Sequence, residues 1–123
     1  MARVLVVEDD RIIQDLIVQV LEHAGYDCLT AVDGFSGVDI ARTERPDVIL
    51  MDLMLPVMNG VDAIRAIRSS PETRTCQIIA MSAGRNLAQV SGELDVDSVL
   101  GKPFDVDVLI ADVALHVRQS FLH

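Results

Sequence analysis

The runs RVLVV (3–7), VILM (48–51) and QIIAM (77–81) are apolar throughout, apart from the polar residue that opens two of them. A strand with one face in water alternates polar and apolar residues. A short unbroken run rich in Val and Ile is a strand covered on both faces. Strands of that kind need helices above and below, and the intervening segments have the right pattern. Ile12, Ile13, Leu16, Ile17, Val20 and Leu21 form a helical stripe that Gly25 closes. DCLTA (27–31) reads as a second strand, and Asp33 is placed to cap a helix over about 34–44, with Pro46 beyond its end. VDAIRAIRSS (61–70) is helical, with Arg65 and Arg68 facing outward and Pro71 after it. A short helix is expected at about 86–92, a brief fifth strand at SVL (98–100), and a long final helix over 104–122. Strands alternating with helices build a parallel sheet with helices on both faces. Right-handed crossovers restrict the strand order. The expected α/β fold is a five-stranded parallel sheet, order 2-1-3-4-5, flanked by five helices. Its switch point lies between the first and third strands, where ligands bind at the carboxyl ends.

The chain has 123 residues, a length that fits one domain with a real core. No apolar run approaches the roughly 20 residues of a membrane span. The opening MARVLVVEDD lacks the pattern of a signal peptide. Cys28 and Cys76 make neither a disulfide framework nor a metal motif. A cytoplasmic protein with reduced thiols is expected, without membrane association. The net charge of −9 argues against direct nucleic-acid binding by this chain. Nine of the ten basic residues are Arg, so Lys102, beside Pro103, stands out as the lone Lys.

The carboxyl edge of the expected sheet collects unusual company. The first strand runs into Glu8, Asp9 and Asp10, and the third into Asp52. Carboxylates held that close raise one another's pKa or recruit a cation. Oxygen donors of this sort suit a hard ion, Mg²⁺ above all. The fourth strand ends in Ser82 and the fifth is followed by Lys102, adding a hydroxyl and an ammonium. A carboxylate can attack phosphorus to form an aspartyl phosphate. Phosphoryl transfer asks mainly for positioning and charge neutralisation. Each residue also has a plainer role open to it. The EDD triplet can cap a helix and offset its dipole, Asp52 can be a turn residue, Ser82 a loop hydroxyl and Lys102 a solvated charge. It is their joint placement at one edge that points to a site.

The sequence resembles the receiver domains of bacterial two-component response regulators over its whole length. VLVVEDD is similar to the family's acidic pair, at Glu8 and Asp9. VILMDLMLPVMNG is similar to the phosphoacceptor segment, with Asp52 as acceptor, then Pro56 and Gly60. IIAMSA places Ser82 at the Ser/Thr position, and GKPF places Lys102 at that of the lysine. The resemblance implies the flavodoxin-like receiver fold and a cis Lys102–Pro103 bond. It implies Mg²⁺, with Mn²⁺ as a substitute, held by Asp9, Asp52 and the backbone carbonyl of Met54, with Glu8 acting through water. It implies a histidine kinase or histidine phosphotransfer protein as phosphoryl donor to Asp52. The result would be a switch in conformation and partner binding, with only self-catalysed phosphorylation and dephosphorylation rather than a metabolic reaction. Residues 1–123 are expected to be a single receiver domain with no output domain, either standing alone or cut from a longer regulator.

Some positions depart from the family pattern. Where an aromatic switch residue usually stands, this chain has Val99. The stretch from Ser82 to Lys102 is also shorter than usual. Met54 and Gly84 occupy positions that influence access of the hydrolytic water; a bulky Met54 implies a phosphoryl lifetime of minutes or longer. Met51, Met54 and Met58 are expected to pack around the site. The apolar surplus of the final helix is either plain packing or a face for a homodimer. His23, His116 and His123 share no ligand spacing.

Two other classes of function remain beside the phosphoacceptor. One is an interaction module of the same fold that works without phosphorylation. The other is an enzyme. A phosphatase of the haloacid-dehalogenase type needs a second acid where Met54 stands, and a flavodoxin's phosphate loop would not read EDDR.

Overall fold

The computed structural model describes residues 1–83 and 92–122. Strands β1 (Arg3–Val7), β2 (Asp27–Ala31), β3 (Val48–Asp52), β4 (Gln77–Ala83) and β5 (Ser98–Lys102) form one sheet of order β2-β1-β3-β4-β5. Every pairing is parallel. Among the described residues the helices are four: α1 (Arg11–His23), α2 (Gly34–Glu44), α3 (Gly60–Ser69) and α4 (Val106–Ser120). The expected short helix at about 86–92 lies almost wholly outside the described residues. No described helix is long and apolar enough to cross a membrane.

The unbroken apolar runs are explained by burial on both faces. Val4, Val6, Val48, Leu50, Ile79 and Met81 pack under α1 and α4, against Ile17, Leu21, Leu109 and Val113. Leu5, Val7, Ile49, Met51, Ile78 and Ala80 pack under α2 and α3, against Val38, Ala41, Ile64 and Ile67. Alternate residues of one strand thus enter two separate cores.

Short side chains set the helix starts. Asp10 accepts from the N–H groups of Ile12 and Ile13, Asp33 from Ser36, Asn59 from Asp62, and Asp105 from Asp107. Each satisfies donors that an N-terminus leaves without partners. The final helix is therefore shorter than the apolar pattern suggests, because Asp105 stops it at one end. Gly25 turns the chain after α1 in the left-handed region, at φ 101°.

Three expectations need correction. Strands β4 and β5 continue past 81 and 100, so Lys102 belongs to its strand rather than following it and Ser82 is within the sheet; Ser82 pairs with Gly101 and Ala83 with Lys102. Arg68 does not face outward. Its side chain is only 14% exposed and doubles back under the sheet's amino end. There the turn from α3 to β4 and the entry to β5 present carbonyls that need donors, and a long guanidinium reaches them. Met54 is not packed in: it is 79% exposed, at the rim beside Asp52. Met51 is buried in the core, and Met58 is half-buried beside it.

Candidate functional site

The three successive acids after β1 have three different fates. Glu8 is 1% exposed, Asp9 points to solvent, and Asp10 caps α1. Asp52, the last residue of β3, is 5% exposed. Sheet order sets β1 beside β3, so Glu8, Asp9 and Asp52 bring carboxylate oxygens within 4.8 Å of one another. Lys102 enters from β5. Its Nζ lies 2.5 Å from Glu8 Oε1 and 3.1 Å from Asp52 Oδ2. The N–H of Met54 donates to Asp52 Oδ1 at 3.1 Å, and the N–H of Asp10 to Glu8 Oε2 at 3.2 Å. Ser82 is buried on β4, the strand next to β3.

The loop after Asp52 is tightly folded. The Gly60 N–H donates to the Leu53 carbonyl, and a Cβ at Gly60 would run into the carbonyl of Asp52. Gly34, at the start of α2, donates to the Met58 carbonyl at 3.0 Å. Between them Val57 sits at φ 67° while 87% exposed. That region disfavours a β-branched residue.

The charges do not balance. Three carboxylates face one ammonium, and two of the three are buried. Burial is the main force that pushes Glu8 up to about 7; Asp52 adds to it, and Lys102 and the Asp10 N–H oppose it. Lys102 shows the complementary effect. Desolvation alone would lower it, but the hydrogen bonds it donates to Glu8 and Asp52 outweigh that and the net shift is upward. A cluster of hard oxygen donors short of positive charge, one of them an exposed Asp9 with no hydrogen bond among the described residues, fits a divalent cation such as Mg²⁺.

Other candidates fall elsewhere. Val99 lies on β5, half-buried and packed, as are Leu94 and Val96, against the core on the α2 and α3 side. The Lys102–Pro103 bond is cis. Gly84 and His123 lie outside the described residues. His23 ends α1, and His116 is buried on α4 with Nδ1 2.8 Å from the Asp112 carbonyl. Burial pushes the Cys28 thiol up to about 11 and also raises Cys76, so both are poor nucleophiles.

Gln14 is a part of this edge that the pattern reading passed over. Its side chain is buried on α1 and donates to the carbonyls of Glu8 at 3.1 Å and Ala31 at 3.0 Å. A signal existed: positions 14, 17 and 21 share a helix face, and Ile17 and Leu21 are core residues. A glutamine on a buried stripe requires partners.

A five-stranded parallel sheet with acids from β1 and β3, a hydroxyl from β4 and an ammonium from β5 is the arrangement of a signalling receiver. The response regulator receiver domain model matches residues 4–114, and the chain belongs to that family, the receivers of two-component systems. It is similar to the DNA-binding dual master transcriptional regulator RpaA of Synechocystis sp. (strain ATCC 27184 / PCC 6803 / Kazusa), with 36% identity over 122 residues. That match covers 98% of this chain and 51% of RpaA, so the chain spans about half the length of that relative. Among solved structures it is similar to the receiver domain of sensor histidine kinase PA1611 from Pseudomonas aeruginosa PAO1, which has a magnesium ion coordinated in its active-site cleft. The identity is 31% and the TM-score 0.87, covering 94% of this chain and 97% of that one. It is also similar to chemotaxis response regulator CheY4 of Vibrio cholerae, at 29% identity and TM-score 0.87, covering 94% and 98%.

Proposed function

We propose that the chain is a phosphoacceptor in a phosphorelay, with Asp52 as the residue that takes the phosphoryl group. The donor is a phosphohistidine on a histidine kinase or phosphotransfer protein. Its P–N bond breaks as a P–O bond to a carboxylate oxygen of Asp52 forms. The imidazole leaves with the P–N electron pair and takes up a proton. The observation that carries this reading is the charge imbalance: two buried acids and one exposed acid converge on a single ammonium, at the sheet edge where α/β folds bind ligands.

Asp9, Asp52 and the Met54 carbonyl would hold Mg²⁺, or Mn²⁺ in its place, with Glu8 acting through water. When bound, the ion would neutralise charge on the transferring group. Lys102 would offset charge on a second phosphoryl oxygen, and the Ser82 hydroxyl would donate to a third. The Met54 N–H already holds one oxygen of Asp52 in place. The exposed Met54 side chain would slow water's approach and lengthen the life of the acyl phosphate. Phosphorylation would then shift an equilibrium between conformations, with catalysis limited to the chain's own modification and its reversal. With Val99 in place of an aromatic, output would not depend on ring rotation at that position. The net charge of −9 supports protein partners over nucleic acid for this segment. The exposed Val108 and Leu115 of α4 would suit a homodimer or another protein face. Residues 1–123 would act as one receiver unit in the cytoplasm.

Intact mass after incubation with acetyl phosphate and Mg²⁺, beside Asp52→Ala, tests the reading. The expected result is a gain of about 80 Da that requires Mg²⁺ and is absent from the variant. A folded chain that gains no mass would instead act as a receiver module without phosphorylation.

A further inference from the structure

The acids at the carboxyl edge are not all held in the same way. Asp52 is fixed by its own carboxylate, through the Met54 N–H and Lys102. Glu8 is likewise fixed through Lys102 and the Asp10 N–H. Asp9 is exposed and its carboxylate has no hydrogen bond among the described residues. Its reach toward Asp52 therefore depends on the direction of the backbone on either side of it. On the C-terminal side the backbone is pinned by helix capping: Asp10 Oδ1 receives the Ile12 and Ile13 N–H groups, and the Asp10 carbonyl receives the Gln14 N–H. On the N-terminal side the Glu8 N–H donates to the Ala31 carbonyl. What remains is the peptide between Glu8 and Asp9, and its carbonyl receives the side-chain amide of Gln14 at 3.1 Å.

We infer that Gln14 is a positioning residue for the divalent cation, acting through the Glu8–Asp9 peptide to aim the otherwise unheld Asp9 carboxylate. The inference rests on the proposed metal site. The geometry is economical. Gln14 Nε2 has two hydrogens and two carbonyl partners, Glu8 and Ala31, so the amide is saturated and cannot rotate without losing one. The Ala31 partner ends β2, so Gln14 ties the acid turn to the sheet's edge strand as well as to its own helix. Burial removes water as a substitute donor for either carbonyl. An apolar side chain of equal length would fill the space and leave the Glu8–Asp9 peptide free to tilt. Groups that orient metal ligands from behind typically change affinity by 10–100-fold when removed.

The test is an NMR titration with Mg²⁺, read from amide shifts at residues 8–10 and 52–54, in wild type, Gln14→Met and Thr73→Val. Thr73 is an equally buried side chain that donates to a lone carbonyl, that of Ile67, in the turn before β4 and away from the acids. It reports what general loosening does. Thermal unfolding places the two variants on a common stability scale. The expected result is a Kd about tenfold higher in Gln14→Met, with Thr73→Val close to wild type. Equal affinity in wild type and Gln14→Met overturns the inference. So does a loss of affinity that both variants share in proportion to their loss of stability. Should Gln14→Met not fold, Gln14→Leu is measured in the same way and judged by the same outcomes. A wild-type chain whose amides do not respond to Mg²⁺ removes the metal site itself, and the inference falls with it. That result is distinct from a responsive wild type with an indifferent variant.

Discussion

Two charge clusters lie at opposite ends of the sheet, and they are built in opposite ways. At the amino end one guanidinium meets four acceptors. Arg68 donates to the carbonyls of Arg74, Cys76 and Asp95 and, at 2.9 Å, to the Asp97 carboxylate. Asp97 also receives the Ile78 N–H, so strands β4 and β5 and helix α3 are joined through a single pair. A second carboxylate, Asp95, lies 3.6 Å away but faces solvent, so the less exposed charges, Arg68 and Asp97, balance one another. At the carboxyl end, Glu8 and Asp52 share Lys102 while Asp9 stands beside them without a partner among the described residues, and the excess is negative. A balanced cluster stabilises the fold it sits in. An unbalanced buried cluster costs stability, and it suits a place where a cation can bind.

The contrast can be broken most directly at Arg68. Arg68→Met leaves the Asp97 carboxylate and several carbonyls without their donor, and stability should fall by about 3 kcal/mol in urea unfolding. Phosphoryl uptake by the folded fraction should not change. Full stability with impaired uptake would reverse the roles assigned to the two ends.

The second effect is pH dependence in the absence of divalent ions. Burial raises Glu8 from 4.5 to about 7, so between those values the folded chain holds a proton that the unfolded chain has released. Its contribution to stability is fully present below about 4.5 and is lost as pH rises through about 7, a fall of about 3 kcal/mol. Mg²⁺ should cancel much of that fall by favouring the ionised acids. A stability that instead rose steadily across this range would mean that Lys102 overrides burial at Glu8.

A smaller effect of opposite sign is expected at Asp52. Asp52→Asn keeps the shape and removes one of the crowded charges, so the metal-free chain should gain about 1 kcal/mol. Destabilisation by this change would show that the Asp52–Lys102 pair is a structural bridge like that of Arg68. The smallest expected effect lies in the loop beside the site. Val57 is exposed at φ 67°, and Val57→Gly should raise stability by about 1 kcal/mol by relieving that conformation. A lower melting temperature in Val57→Gly would mean that unfolded-state freedom outweighs the strain.

The two ends also differed in how readily they could be read from the chain. The runs RVLVV, VILM and QIIAM already imply strands covered on both faces, because unbroken apolar sequence leaves no side for water. Asp33 could be placed as a cap and Gly25 as a terminator, since both act within a few residues of themselves. The edge residues Glu8, Asp9, Asp52, Ser82 and Lys102 could be grouped once the strand order was inferred, because each closely follows or ends a strand. Arg68 could not be placed. Its helix pattern turned it to solvent, whereas its length lets it reach carbonyls on three segments that adjoin only after folding. Gln14 was hidden for a related reason: its partners are backbone carbonyls, which every residue has and no motif marks.

Apolar periodicity and local capping are properties of the chain a few residues at a time, so strands, helices and the order of the sheet follow from reading along it. The separate fates of Glu8, Asp9 and Asp10, the saturation of Gln14 and the inward turn of Arg68 depend on which groups lie within about 3 Å across different elements. Burial and charge balance are sums over all neighbours in space, and those neighbours exist only once the sheet has assembled.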